Sequence, residues 1–286
     1  MNPLPLFPTK RGTGPLVIAY GGGVNTIALH IRLRDLGERP TAIVMADPGS
    51  ERAPTITYRD TTMATWLARQ GWPAVTVVSV KSEAPFRPRA SQVAQRTLLE
   101  ECMALKALPS IAYGFKKCSL KFKARPANWW IERQPWAIEA WSRGEKITRA
   151  IGYDADEPER ARPESMDARE ARLFAPYYPL LNAGLDRDGC IALIEREGLP
   201  VPVKSACRWC PSNTLAEWRD LHDHDPEGWA EAMAMSQNAE LDAPDVVGLM
   251  RCNPRGKRQL HLHVWDDASP TPDKDTREAL PCECAL

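Results

Sequence analysis

The segment Pro15-Leu16-Val17-Ile18-Ala19-Tyr20-Gly21-Gly22-Gly23-Val24-Asn25-Thr26 decides the fold of this chain. Its first six residues form an apolar run typical of a buried strand, and three glycines follow. A helical pattern then covers about residues 25–36, and Gly37 ends it. The segment therefore predicts a strand, a glycine turn and a helix, which is how an α/β domain begins.

The alternation of strand and helix continues along the chain. Three further apolar runs predict strands at residues 41–46, 74–80 and 147–153. Helical patterns lie between them at residues 57–70 and, rich in tryptophan, at about residues 126–141. Because helical crossovers join the strands, we expect an α/β fold with a doubly wound parallel sheet. Ligands of such sheets bind beyond the carboxyl ends of the strands, so the strand exits should carry the site.

Composition excludes several classes of protein. The chain has 286 residues, with 37 Lys and Arg against 37 Asp and Glu, so its formal charge is zero. A domain-wide basic surface is excluded, and any contact with nucleic acid must depend on a local patch. The apolar runs are far shorter than the roughly 20 residues of a membrane helix, and the first residues show no secretory pattern. We therefore expect a cytoplasmic protein without membrane contact.

The glycine turn has the chemistry of an anion site. Gly21, Gly22 and Gly23 allow the backbone to approach an anion closely, and the helix that follows presents unpaired N–H groups. The turn matches neither the Walker pattern nor the G-x-G-x-x-G fingerprint. A simple tight turn is the alternative. The residues expected to contact a phosphate are Gly21, Gly22, Gly23, Val24, Asn25 and Thr26.

Acidic residues follow the second predicted strand. Asp47, Gly49 and Glu51 lie in the segment that leaves it, beside the expected phosphate site. A carboxylate at such a strand end can hold a ribose, a base edge or Mg²⁺. An N-cap or turn aspartate is the alternative for Asp47.

Cysteines are numerous for a cytoplasmic chain, which favours metal, redox or catalytic roles over a disulfide framework. Cys207 and Cys210 form a Cys-x-x-Cys turn that brings two thiolates to one metal centre. Cys118 and Cys190 are further candidate ligands, and spacing leaves zinc and an iron–sulfur cluster both open. Cys102 lies in a helical pattern and is interpreted as a buried apolar residue.

Together these motifs resemble the PP-loop ATP pyrophosphatases, in their phosphoadenosine-phosphosulfate (PAPS) reductase-like branch. That branch includes sulfonucleotide reductases, the PP-loop subunit of DNA phosphorothioation systems and phage-encoded relatives. The branch's Ser-Gly-Gly-x-Asp-Ser loop corresponds to residues 21–26, where Gly21 and Asn25 replace a serine and an aspartate. Its Asp-Thr-Gly-x-Glu segment corresponds to residues 47–51. The segment 151–157 with Arg160 is similar to a third motif, so Gly152, Glu157 and Arg160 are expected at the nucleotide.

The resemblance implies a Rossmann-like PP-loop domain at residues 1–185 and a smaller, mainly helical, cysteine-containing region at residues 186–286. It favours a [4Fe–4S] cluster held by Cys118, Cys207 and Cys210, with Cys190 as the expected fourth ligand. A cluster with three thiolates and one open iron is the alternative. A basic run that includes Lys121 and Lys123 is expected to attract phosphates, although a solvated charged face would have the same sequence.

The resemblance further implies an adenylating enzyme. ATP with Mg²⁺ would occupy the glycine turn beside Asn25 and Asp47, and a nucleic acid or nucleotide would be activated for sulfur incorporation. A cysteine desulfurase is one expected sulfur donor, and the oligomeric state is left open, a homodimer included. The first alternative is a sulfonucleotide reductase whose nucleophile is Cys284, in the tail Glu283-Cys284-Ala285. The second is a nucleotide-binding regulatory or defence subunit without catalysis.

Overall fold

A five-stranded, all-parallel sheet forms the centre of the computed structural model, which describes residues 11–81, 96–115, 117–161, 168–242 and 248–250. The strand order is β3-β2-β1-β4-β5, and every neighbouring pair is parallel. The chain reverses its winding between β1 and β4, which is the point where doubly wound sheets bind ligands. The predicted fold class is confirmed. The strands are β1 (Leu16–Ala19), β2 (Ala42–Ala46), β3 (Val75–Val78), β4 (Ile147–Ala150) and β5 (Phe174–Tyr177).

Helices cover both faces of the sheet. Irregular helical turns join some of them: π-helical turns at Arg59–Met63 and Leu120–Ala124, and 3₁₀ turns at Ser110–Tyr113 and Pro158–Arg160. No helix of the described residues is both long enough and apolar enough to cross a membrane. The α-helices are α1 (Val24–Asp35), α2 (Ala53–Tyr58), α3 (Ala64–Arg69), α4 (Leu98–Ala104), α5 (Lys117–Ser119), α6 (Arg125–Ile131), α7 (Pro135–Ser142), α8 (Ala168–Leu173), α9 (Pro179–Asn182), α10 (Arg187–Arg196), α11 (Leu215–His224) and α12 (Pro226–Asp242).

Alternation along β1 separates the two cores of the sheet. Leu16 and Ile18 pack with α1 on one face, whereas Val17 packs with α6 and α7 on the other. Successive side chains of a strand point to opposite faces, so a strand that is apolar throughout must be covered on both. Helices therefore bury both faces of the sheet, and a site can form at the carboxyl ends of the strands.

The structure differs from the prediction at a fifth strand and at the tryptophan-rich helix. The strand β5 was not expected, because its sequence Phe-Ala-Pro-Tyr is short and contains Pro176. Proline cannot donate to a strand ladder, and β5 tolerates it because it lies at the edge of the sheet. The tryptophan-rich helix predicted at 126–141 is two helices, α6 and α7, and Pro135 begins the second.

A third core lies under the cysteine-containing region. It joins α4, α11 and α12 around the fully buried Trp209 and Trp218. The helix α10 lies instead on α1, and its Leu193 and Ile194 share the core of β1. The division at residue 185 stays a prediction, but α10 packs with the α/β layer that precedes it.

Candidate active site

The glycine turn after β1 is tightly packed. Gly22 has a φ of +84°, a left-handed conformation that favours glycine. A Cβ atom on Gly22 would lie 2.5 Å from Cγ2 of Thr55, a buried residue of α2. Backbone conformation and close packing therefore both require glycine at this position.

The turn leads into the N-terminus of α1 without a capping side chain. Gly23 is the N-cap in extended conformation, and the first turn of the helix contains no acidic residue. The Gly21 N–H donates to Oγ1 of Thr26 at 3.2 Å. The first-turn N–H groups and the positive end of the helix dipole are thus left to an anion from outside the helix.

Asn25 connects the exits of β1 and β4. Its Nδ2 donates to Oδ2 of Asp154 at 2.7 Å, and its Oδ1 accepts from Nη1 of Arg187 at 3.2 Å. Asp154 is only 3% exposed. A Cβ atom on Gly152 would lie 2.9 Å from the Asn25 carbonyl oxygen, so the two exits are in direct contact. Sequence reasoning did not select Asp154 or Arg187, although Asp154 lies in the segment quoted for Gly152.

The rest of the β4 exit is held by an ion pair. Nη1 of Arg160 lies 2.7 Å from both carboxylate oxygens of Glu157. The Arg160 guanidinium also lies over the Tyr153 ring, 4.5 Å from its centroid. Burial raises the pKa of Glu157 above its ordinary value, and Arg160 opposes that effect. Glu157 and Arg160, two of the three residues predicted from this segment, are therefore in direct contact with each other.

Asp47 forms a turn at the exit of β2. Its Oδ1 accepts from the Gly49 N–H at 2.7 Å, as in an Asx-turn. Gly49 has a φ of +88°, and a Cβ atom there would lie 2.7 Å from Cγ2 of Thr97. The alternative interpretation of Asp47, a turn aspartate, therefore accounts for its Oδ1 but not for its Oδ2. The Asp47 side chain is half-buried.

The β2 exit pairs with the Cys-x-x-Cys segment. Glu51 and Cys207 form an antiparallel bridge. The Arg208 N–H donates to the Ser50 carbonyl at 2.8 Å, and the Arg52 N–H donates to the Ala206 carbonyl at 3.3 Å. Two segments that are far apart in the chain thereby bring the cysteines to the edge of the sheet that carries the glycine turn.

Three cysteines line one pocket. Cys207 and Cys210 are buried, Cys118 is half-buried, and Lys123 lines the same pocket. Nζ of Lys123 lies 3.6 Å from Oε2 of Glu51, and both side chains are almost completely buried. Lys123 thus brings a positive charge to a pocket of thiols. Lys121 points elsewhere: its ammonium group pairs with Glu101 and lies over the Phe122 ring.

Helix α12 fixes the Cys-x-x-Cys turn. The Cys210 N–H donates to the Cys207 carbonyl at 3.1 Å. Nη2 of Arg208 and Nε1 of Trp209 each donate to Glu231, both at 2.9 Å. The residues between the cysteines are therefore anchored, and the two thiols keep a defined orientation toward the pocket.

Cys190, the expected fourth ligand, is not in this pocket. It lies on α10, is 0% exposed and packs in the core shared by α1 and β1. Burial raises the pKa of its thiol to about 12, which disfavours the thiolate that a metal requires. The structure thus groups Cys118, Cys207 and Cys210 without Cys190. Cys102 is buried in the core beneath the pocket, in keeping with its interpretation as an apolar residue.

The pocket offers three thiols to a metal centre. In the described ranges, no three His, Cys, Asp or Glu side chains are grouped closely enough to hold a metal ion. A [4Fe–4S] cluster takes one ligand on each iron, so its thiolates surround a cavity rather than converge on one atom. Cys118, Cys207 and Cys210 line one pocket. Cys284, which was predicted as the nucleophile of a sulfonucleotide reductase, lies outside the described residues.

Two hydroxyl-bearing residues that sequence reasoning missed, Thr55 and Ser205, border the glycine turn. Oγ1 of Thr55 is buried and has no hydrogen-bond partner among the described residues. Oγ of Ser205 lies 3.1 Å from the position of a Cβ atom on Gly23. The only signal in the sequence was that Ser205 lies two residues before Cys207.

Comparisons with known proteins give only weak likenesses among solved structures. No family model matches the chain, and no curated protein matches it. Among solved structures, the chain is similar to the U34-tRNA thiolase NcsA from Methanococcus maripaludis with its [4Fe-4S] cluster. The two chains are 13% identical, the match covers 80% of this chain and 73% of that chain, and the TM-score is 0.38. A likeness at this level carries no conclusion about function.

Proposed function

We propose that this chain is a PP-loop type ATP pyrophosphatase that adenylates a nucleic-acid or nucleotide substrate for sulfur incorporation. One observation carries the proposal. The β2 exit, next to the glycine turn, is hydrogen-bonded to the segment that bears Cys207, so an anion site and a pocket of thiols share one edge of the sheet. Activation by ATP and handling of sulfur require these two kinds of site side by side.

ATP would bind with its phosphates on the glycine turn. The uncapped N-terminus of α1 supplies N–H donors and a positive dipole end, and Gly22 lets the phosphate approach the backbone. Arg187, held at Asn25, adds a cation near the same helix end. Oδ1 of Asp47 is engaged by the Gly49 N–H, which leaves Oδ2 for a Mg²⁺ ion bound to the phosphates.

Adenylation exchanges one bond at the α-phosphorus. An oxygen of the substrate attacks the α-phosphorus, the bond to the oxygen bridging the α- and β-phosphorus breaks, and pyrophosphate leaves. The donors at the helix end would stabilise the negative charge that develops on the phosphates. Sulfur then attacks the carbon that bears the adenylated oxygen, and AMP departs with that oxygen. A persulfide on a cysteine desulfurase is the class of donor, and its outer sulfur forms the new C–S bond. A second thiol, from a thiol reductant, then attacks the donor's inner sulfur and breaks the S–S bond, so that the thiolated product leaves and the two thiols end as a disulfide.

The thiol side of the site would hold a [4Fe–4S] cluster through Cys118, Cys207 and Cys210. When bound, such a cluster supplies an iron without a protein thiolate, at which sulfur can be held. Lys123 would offset part of the negative charge of the thiolates, and Glu51 holds that ammonium group in the pocket. The anchored Arg208 and Trp209 would keep Cys207 and Cys210 in place while substrate binds.

A second candidate is a nucleotide-binding subunit without catalysis. The observation that favours it is the side chain of Asn25, an amide whose two ends are already bound by Asp154 and Arg187. Asn25 therefore offers no carboxylate to a metal ion. In this case ATP would bind at the glycine turn and remain intact.

Release of pyrophosphate tests the proposal. Protein purified without oxygen is incubated with ATP, Mg²⁺ and RNA or DNA, and pyrophosphate is measured. The adenylating enzyme releases pyrophosphate and forms AMP, whereas the binding subunit binds ATP and releases neither. Thiol-dependent sulfite release from adenosine phosphosulfate, without pyrophosphate release from ATP, would identify a sulfonucleotide reductase instead.

A further inference from the structure

The glycine turn has no side chains of its own with which to hold a ligand. Gly21, Gly22 and Gly23 offer only backbone groups, and the hydroxyl of Thr26 accepts the Gly21 N–H at 3.2 Å. The Thr26 O–H is still able to donate, and any further hydroxyl hydrogen bond to a ligand on this turn must come from another part of the chain.

Ser205 faces the turn from the Cys-x-x-Cys segment. Its Oγ lies 3.1 Å from the position of a Cβ atom on Gly23 and 4.0 Å from that on Gly21. Its Cβ lies 3.8 Å from the corresponding position on Gly22, so Ser205 spans all three glycines. The residue is half-buried, so its hydroxyl is not sealed in a core.

Hydrogen bonds on both sides hold Ser205 in this position. On one side, Nζ of Lys204 donates to Oε2 of Glu217 at 2.9 Å and to the Ser212 carbonyl at 3.1 Å. On the other side, the Ala206 carbonyl accepts from the Arg52 N–H at 3.3 Å. A preorganised hydroxyl binds an anion with little loss of conformational entropy.

A second hydroxyl-bearing residue packs against the turn. Oγ1 of Thr55 is buried without a hydrogen-bond partner among the described residues, and the Thr55 methyl group packs on Gly22. A buried hydroxyl left unsatisfied is unfavourable, so natural structures seldom keep one without a reason. Thr55 and Ser205 both border the turn, on different segments of the chain.

We infer that the Ser205 hydroxyl donates a hydrogen bond to a phosphate oxygen of the nucleotide on the glycine turn, an inference that rests on the proposed function. Ser205 is then a specificity residue for the phosphates and not for the nucleoside. Because Cys207 follows two residues later, the same segment carries a contact to the nucleotide and a wall of the thiol pocket.

Affinities of the full-length protein for two probes test this inference. ATP with Mg²⁺ and adenosine are titrated by calorimetry into wild type, Ser205→Ala and the control Ser142→Ala, whose hydroxyl is exposed at the end of α7. Ser205→Ala should bind ATP roughly 10-fold or more weakly, because it loses a hydrogen bond to a charged group, and should bind adenosine as wild type does. Ser205→Thr keeps a hydroxyl and should recover part of the ATP affinity. Ser142→Ala should match wild type for both probes.

Two results would overturn the inference alone. In one, wild type binds ATP and Ser205→Ala binds it equally well. In the other, Ser205→Ala loses the same factor for ATP and for adenosine, which would indicate a structural role. A folded wild type that binds no ATP would overturn the proposed function, and the inference with it.

Discussion

Asn25 Nδ2 lies 2.7 Å from Asp154 Oδ2, and this hydrogen bond joins the exit of β1 to the exit of β4. The two strands are neighbours in the sheet, and their exits form its topological switch point. An amide is the side chain that suits this position, because it donates to the buried carboxylate of Asp154 and accepts from Arg187. An aspartate at position 25 would set two carboxylates against each other.

Replacement of Asn25 by aspartate tests the hydrogen bond between Asn25 and Asp154. Asn25→Asp should destabilise the protein by about 1–3 kcal/mol at neutral pH, because the donor is lost and like charges meet. The repulsion raises the pKa of one of the two carboxyl groups in the folded state. The penalty should therefore grow as pH rises from the unfolded value near 4 through that raised pKa, and shrink in acid. Denaturant unfolding at several pH values measures this.

The double variant Asn25→Asp/Asp154→Asn provides the control, since it restores one amide and one carboxylate. Its stability should recover most of the loss. A double variant as unstable as Asn25→Asp would contradict the role of the hydrogen bond.

Substitution of Gly22 by alanine should lower the free energy of unfolding by more than the cost of its left-handed backbone conformation. Gly22→Ala places a methyl group 2.5 Å from Thr55 Cγ2 in a left-handed conformation, and the conformation alone costs about 1–2 kcal/mol. Gly144→Ala is the matched control, because Gly144 has a φ of +76° and nothing lies within 4 Å of its Cβ position. The free energy of unfolding should fall further in Gly22→Ala than in Gly144→Ala. Equal losses would show that Thr55 does not constrain the turn.

Replacement of single cysteines should separate the ligands of a cluster from buried cysteines. In protein purified without oxygen, Cys118→Ser, Cys207→Ser and Cys210→Ser should lose iron and sulfide, because each removes a thiolate from the pocket. Cys190→Ala and Cys102→Ala should keep both, since these cysteines pack in apolar cores. Iron and sulfide analysis with visible absorption measures the outcome. Stoichiometric zinc without iron, or loss of iron in Cys190→Ala, would be inconsistent with the proposed ligand set.

Acid should destabilise the protein through His30. Burial in α1 lowers the pKa of this side chain from 6.5 to about 4, against a hydrogen bond with the Thr26 carbonyl that favours the proton. Since the unfolded chain binds a proton below pH 6.5 and the folded chain only below about 4, stability should fall as pH drops through this interval. The loss amounts to up to about 3 kcal/mol.

The difference between wild type and His30→Leu isolates this contribution. His30→Leu should show a flatter dependence of the free energy of unfolding on pH between 6.5 and 4. Parallel curves for wild type and His30→Leu would exclude His30 as the source.

The sequence by itself determined the elements whose signals are local. Apolar runs and helical periodicity identified four of the strands and the helix that follows the glycine turn, because period and burial are properties of neighbouring residues. The sequence also predicted that the two thiols of the Cys-x-x-Cys pair lie close together, since one short turn joins them. The strand β5 was not predicted, because it has only four residues and contains Pro176. Its position at the edge of the sheet explains why a strand can form there despite the proline.

Tertiary structure alone decided which distant residues meet. The sequence made Cys118 and Cys190 equally plausible ligands, but packing places α10 with Cys190 in the core of β1 and leaves Cys118 at the pocket with Cys207. The contacts of Asn25 with Asp154, of Glu51 with Cys207 and of Gly23 with Ser205 likewise depend on strand order and on backbone pairing between remote segments. A sequence pattern records which face of an element is apolar, whereas the partner of that face is set by how the whole chain packs.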